Sequence, residues 1–132
     1  MMRLPGLIMA NAYFPNGSGK DRDNSRVPYK IDFTTRVFDV VEEERRRTGL
    51  PALIVGDYNT APTPIDLARP KPNEKTSGFL PEEREAFADL LARGWTDTFR
   101  HLHPEKIQYS WWSQRFGVRA KNIGWRIDHM LA

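Results

Sequence analysis

Leu50-Pro51-Ala52-Leu53-Ile54-Val55-Gly56-Asp57-Tyr58-Asn59 is the segment on which the fold turns. Its apolar run is short, opens beside a proline and closes on Gly-Asp, which predicts a buried strand over Leu50 to Tyr58. Upstream, Pro28 to Thr48 reads as a helix. Ile31, Thr34 and Phe38, then Val37 and Val41, recur at i, i+3, i+4 spacing, and Arg45-Arg46-Arg47 precede Gly49. That basic last turn complements the helix dipole and is read as a solvated helix end. Further out, Leu7 to Phe14 alternates as a strand, with Leu7, Met9, Asn11 and Tyr13 on one face. Pro15 to Gly19 forms a loop leading into a charged segment. Downstream, Pro62 and Pro64 begin a loop, and Pro81-Glu82-Glu83 starts a second helix that ends at Gly94. Two late strands are expected near Tyr109 to Ser113 and Gly124 to Ala132, flanking a basic loop. Strands and helices that alternate in this way predict an α/β domain.

Composition narrows the function classes. The 132 residues suffice for one domain, and 39% hydrophobic with 28% charged residues describe a globular chain. Lys and Arg number 20 against 17 Asp and Glu, a net +3 that inclines mildly toward polyanions. With no cysteine, disulfides, thiolate zinc sites and a cysteine nucleophile are excluded, in keeping with a cytoplasmic setting. No apolar run approaches the ~20 residues that span a bilayer, so no membrane role is expected. The N-terminus has a signal-like outline, but Pro5 and Gly6 break its apolar stretch and the remainder alternates like a strand.

Three groups of residues could carry chemistry. Asp57 and Asn59, two apart at the end of a buried strand, should project together. A carboxylate beside a carboxamide suits a divalent cation and a water, which makes both candidate metal ligands. The competing reading is a turn that Asp57 starts and Asn59 caps. Tyr13 ends another strand and can donate to a phosphate oxygen, with Asn16 doing likewise from the loop, or it can simply pack. The third group runs from Tyr109-Ser110-Trp111-Trp112 through Arg115, Arg119, Lys121, Asn122, Trp125 and Arg126. Aromatics interleaved with cations suit a surface that stacks on bases and neutralises phosphate; equally, a strand pair could bury the rings and solvate the charges. On the last strand Gly124, Arg126, Asp128 and Met130 should share a face. His129 then points away from Asp128 and is read as structural. His101 and His103 have no partners at metal-binding spacing.

These segments together resemble the exonuclease III/AP endonuclease family of the endonuclease–exonuclease–phosphatase superfamily. The resemblance runs from Asn11 onward, through Asn11-Ala12-Tyr13-Phe14-Pro15-Asn16-Gly17, Gly56-Asp57-Tyr58-Asn59, Ile65-Asp66, Ser77-Gly78-Phe79-Leu80-Pro81-Glu82-Glu83-Arg84-Glu85, Asp97-Thr98-Phe99-Arg100, Tyr109-Ser110-Trp111-Trp112 and Lys121-Asn122-Ile123-Gly124-Trp125-Arg126-Ile127-Asp128. It implies part of a four-layer, DNase I-like α/β sandwich, two mixed sheets flanked by helices. It also implies a phosphodiesterase dependent on Mg²⁺ or Mn²⁺ that acts on double-stranded DNA at abasic sites or 3′ ends. By position Asp57 would orient and deprotonate the attacking water and Asn59 would steady the transition state. Tyr13 and Asn16 would contact the scissile phosphate, and Asp128 matches the aspartate that orients a catalytic histidine. Trp111, Trp125 and Ile127 match the pocket for an extrahelical abasic sugar, and Lys121, Asn122 and Arg126 match the DNA-facing loop beside it.

The family's Gln-Glu strand, which supplies the principal metal-binding glutamate, and its final Ser-Asp-His strand have no counterpart here. Residues 1–132 are therefore expected to form a single, truncated domain. Asp57 alone should hold Mg²⁺ weakly, and the missing histidine removes a charge stabiliser worth on the order of 3–4 kcal/mol. The chain on its own is expected to cut little or not at all. An uncovered sheet is expected to favour self-association or a complementing fragment. The alternatives are a non-catalytic DNA-binding module and a lipid or inositol-phosphate phosphodiesterase of the same superfamily.

Overall fold

The computed structural model describes residues 1–132 and shows an α/β fold built around one mixed sheet. Its order is β1 (Met2–Leu4), β2 (Leu7–Tyr13), β3 (Ala52–Asp57), β6 (Asp128–Leu131). The unread first strand exists because Pro5-Gly6 supplies turn chemistry, with Gly6 at φ 79°, so β1 folds back antiparallel on β2. β2 and β3 are parallel and therefore need a crossover, which α1 (Val27–Thr48) provides. That helix has proline in its first turn and ends on Gly49 at φ 70°, where the left-handed backbone favours glycine.

Side chains alternate across the sheet. Ile8, Ala10, Ala52, Ile54 and Leu131 face the helices and are buried, joined by Phe38 and Val41 of α1 and by Phe87 and Leu90 of α2 (Pro81–Ala92). Phe14 and Tyr58 stack with centroids 4.2 Å apart, and Phe38 meets Trp95 edge-on at 5.0 Å. On the other face nothing is fully buried: Leu7, Met9, Leu53 and Val55 are half-buried, and Met2, Leu4 and Met130 are exposed. The expectation of an uncovered apolar face thus has a physical counterpart.

The late strand predicted over Gly124 to Ala132 is two strands. β5 (Gly124–Trp125) pairs with β4 (Trp111–Trp112) in a separate two-stranded sheet, whereas β6 pairs with β3. Arg126 and Ile127 form the joint. Arg126 donates its N–H to the Asp66 carbonyl, and Ile127 accepts from the Tyr58 N–H. His101 lies in a short helix, α3 (Thr98–Leu102), which His103 caps. No helix is long and apolar enough to cross a membrane.

One close approach fixes the β2–β3 pair. Gly56 has φ 145°, and a Cβ built on it would fall 1.8 Å from the Ala12 carbonyl oxygen. Only glycine fits one residue before Asp57.

Candidate active site

Strand register builds the site. Tyr13 stands opposite Asp57 in the parallel pair, and Asp57 stands opposite Asp128 in the antiparallel pair. The three side chains form a transverse row on the uncovered face, on strands about 4.8 Å apart. Tyr13 is 71% exposed, so its phenol is presented to solvent and not packed. Burial pushes the Asp57 carboxyl up from its ordinary value. The Asn59 N–H opposes that shift, and the like charge of Asp128 adds to it.

Beyond Asp57 the chain leaves strand geometry. Asn59 sits at φ 50°, and its N–H donates to Asp57 Oδ1 at 2.8 Å. The turn reading is therefore correct, and simple alternation does not extend to Asn59. The turn nevertheless keeps both residues in one cleft. Asn59 Nδ2 donates to the Phe14 carbonyl at 2.8 Å, which holds the amide and leaves its oxygen free of protein donors. Asn16 accepts the Ser18 N–H at its Oδ1, which turns its amide nitrogen outward.

A cleft of about 440 Å³ joins these groups. Tyr13, Asn16, Asp57 and Asn59 line one side, Trp111, Trp125 and Ile127 the other, and Thr76, Ser77 and Gly78 close the end. Trp111 and Trp125 are cross-strand partners. Ile127 packs with Ala61, Leu67 and Phe79 beneath the hollow. Ser110 Oγ accepts the N–H groups of Ile127 and Asp128 at 3.0 and 3.1 Å, fixing the backbone where hollow and carboxylate row meet. Sequence alone missed the Thr76–Gly78 end wall, since nothing local marks that loop as facing Asn59.

Three expected DNA contacts lie elsewhere. Lys121 is exposed on the loop, and Asn122 accepts the Trp112 indole N–H at 3.1 Å; neither lines the cleft. Arg126 requires correction. It is 3% exposed, and its guanidinium binds Asp66 at 2.8 Å, Asp97 at 2.6 Å and His129 Nδ1 at 3.1 Å. The break at Arg126–Ile127 turns this side chain inward, where a buried charge is kept by its partners and is out of reach of a phosphate. Burial alone would raise the carboxyls of Asp66 and Asp97, yet the hydrogen bonds and charge of Arg126 outweigh it and hold both low.

His129 belongs to this second cluster. Its Nε2 lies 2.7 Å from the Thr60 carbonyl and its Nδ1 faces Arg126, an arrangement that suits the neutral ring. Burial, then Arg126, pull its pKa down to about 4. The structural reading of His129 stands. No three His, Asp or Glu side chains converge tightly enough to share a metal ion.

Residues 13–132 match the model of the Endonuclease/Exonuclease/phosphatase family. The chain is 40% identical to the DNA repair nuclease APEX1 of Danio rerio over 97% of its own length and 40% of that protein. It is 36% identical to an exodeoxyribonuclease of Bacillus subtilis over 98% of its length and 50% of that protein. It thus spans about half the length of the curated relatives it matches, or less. Among solved structures, a Neisseria 3′ phosphatase, NExo, bound to a product DNA hairpin superposes with a TM-score of 0.84 at 31% identity. That match covers 96% of this chain and 48% of the other. An AP endonuclease from Archaeoglobus fulgidus superposes with a TM-score of 0.78 at 28% identity and the same coverage.

Proposed function

The chain belongs to the endonuclease/exonuclease/phosphatase family, and from that premise we propose that its cleft serves the cutting of DNA phosphodiesters at abasic sites or 3′ ends, with Mg²⁺ or Mn²⁺ as cofactor. The observation that carries this reading is convergence. Four polar groups suited to phosphate sit across a single cleft from an apolar, tryptophan-walled hollow. A flipped deoxyribose without its base presents the complementary pair of surfaces, a charged phosphate beside a small apolar ring. The names of the relatives, a DNA repair nuclease and an exodeoxyribonuclease, support DNA as the substrate class.

Each group has a role that follows from its setting. Asp57 takes the proton of the attacking water, and its raised proton affinity brings it closer to the working range of a base. Tyr13 donates to a phosphate oxygen from its exposed phenol. Asn16 donates from its outward amide. Asn59, already held by Phe14, offers its second amide hydrogen to a phosphate oxygen on which charge builds. Trp111, Trp125 and Ile127 exclude a full nucleotide from the sugar's place.

The donor set fits a hard divalent cation that also binds substrate phosphate. Asp57 and the free Asn59 oxygen are the available ligands in the cleft, and Mg²⁺ characteristically uses one or two carboxylates and keeps several waters. When bound, the cation supplies charge neutralisation at the phosphate and a more acidic water.

The test is binding of a duplex carrying one abasic-site analogue, compared with the intact duplex, with Mg²⁺ and with chelator. The expected result is tighter binding of the damaged duplex, strengthened by Mg²⁺ and lost in Trp125→Ala. Equal affinity for both duplexes overturns the reading. Damage-selective binding indifferent to chelation turns it into the non-catalytic DNA-binding alternative.

A further inference from the structure

Lys30 and Glu83 form an ion pair with almost no solvent access, 3% and 2% exposed, in a part of the core that needs no charge for packing. Lys30 lies on the apolar stripe of α1 between Val27 and Phe38. Glu83 lies in the first turn of α2, where its carboxylate reaches back to the Leu80 N–H, as a third-position glutamate does in a capping box. A buried pair of this kind is rarely more stabilising than an apolar pair of the same volume. Burial pulls the Lys30 ammonium down from its ordinary value, with Glu83 opposing. What an apolar pair could not do is hold the polar atoms gathered here.

Those atoms belong to the walls of the cleft. Lys30 Nζ donates to the Asn59 carbonyl, holding the left-handed residue at the strand tip. Glu83 accepts the Gly78 N–H at 2.7 Å and the Ser77 hydroxyl at 3.3 Å, holding the end wall. The Asn16 loop presses on the same point. A Cβ at Gly17 would lie 2.5 Å from Ser77 Oγ and 3.5 Å from Glu83 Oε2. One charged pair thus ties together the Asn59 tip and the 76–78 wall, with the Asn16–Gly17 loop seated against it.

We propose that Lys30 and Glu83 are positioning residues that set the width of the cleft between Asn59 and the Thr76–Gly78 wall, and so set how well it tells an abasic nucleotide from an intact one. The inference rests on the cleft's reading as a DNA site. Neither residue lines the cleft, so both act through the backbone they hold.

The experiment compares wild type with Lys30→Met, Lys30→Arg and Glu83→Asp. Glu83→Asp keeps the charge and shortens the strut by one methylene, so it tests spacing even where Lys30→Met fails to fold. Two quantities are read: amide resonances of Asn59, Ser77, Gly78 and Leu80, and the ratio of affinities for abasic and intact duplex. In folded Lys30→Met and Glu83→Asp the four amides should shift together. The affinity ratio should fall about tenfold, equivalent to about 1.4 kcal/mol, and Lys30→Arg should restore most of it. Unmoved Ser77 and Gly78 amides, or an unchanged ratio in a folded variant, overturn the inference. If wild type itself does not discriminate the duplexes, the function reading falls alone and the amide shifts still decide whether the strut sets the walls.

Discussion

Two carboxylate clusters flank β6, and the chain treats them in opposite ways. Asp66 and Asp97 are buried, and the Arg126 guanidinium meets both of them. Asp57 and Asp128 are a like-charged cross-strand pair; Asp57 lines the cleft, Asp128 lines a neighbouring hollow with Tyr109 and Met130, and neither meets a cation in a salt bridge. In the first cluster the acids are held below their ordinary values; in the second Asp57 is pushed above its own. Acids paired with a cation by the fold do structural work, whereas an acid left without one at an open site is available to a metal ion or a water.

The most severe way to break that comparison is to remove Arg126. Arg126→Leu leaves Arg100 on Asp66 but strips Asp97 of its guanidinium, and an orphaned buried charge costs about 3–5 kcal/mol. Urea unfolding should show a loss of that size, a large share of the ~5–15 kcal/mol typical of a domain. A loss within error of zero would mean that water reaches the cluster.

Acid sharpens the contrast next. The folded pKa of His129, about 4, lies below the ordinary 6.5, so the unfolded chain takes up its proton first as pH falls. Its contribution is complete above pH 6.5 and disappears as pH drops toward 4, on the order of 3 kcal/mol across the window. Asp66 and Asp97, held low, lose their contribution only below the ordinary carboxylate value of 3.8. His129→Gln should flatten the first limb in unfolding curves taken every half pH unit and leave the second. An unchanged upper limb in that variant would remove His129 as its cause.

The smallest effect has the opposite sign. Because Asp57 binds its proton more tightly when folded, its contribution is lost as pH rises from the unfolded value to the folded one, and at neutral pH its charge opposes folding. Asp57→Asn should therefore raise Tm slightly at pH 7 while weakening Mg²⁺-dependent DNA binding. A fall in Tm would mean that the Asn59 N–H and the charge of Lys30 together outweigh the burial of the carboxylate.

Local pattern was enough for part of this. The Leu50–Tyr58 strand, the long helix before it and the helix beginning at Pro81 follow from periodicity and end signals, and the ordered motifs pointed to Tyr13, Asp57, Asn59 and the tryptophans. What local pattern missed depends on partners far away in sequence. Arg126 reads as a DNA contact from its place among the interleaved aromatics and cations, yet it turns inward because Asp66, 60 residues earlier, binds its backbone and its side chain. Lys30 and Glu83 are 53 residues apart and look ordinary alone, although a lysine within an apolar helical stripe is a signal of a buried counter-ion. The alignment of Tyr13 with Asp57 and Asp128 required the register of a parallel pair joined across a whole helix.

With a carbonyl oxygen occupying the place of a missing methyl at Gly56, β2 and β3 are locked at their closest spacing one residue before the acid. The spacing of the strands that carry phenol and carboxylate is thus gauged by backbone alone. A single methyl at residue 56 would wedge the strands apart and detune the site while leaving every reactive group in place.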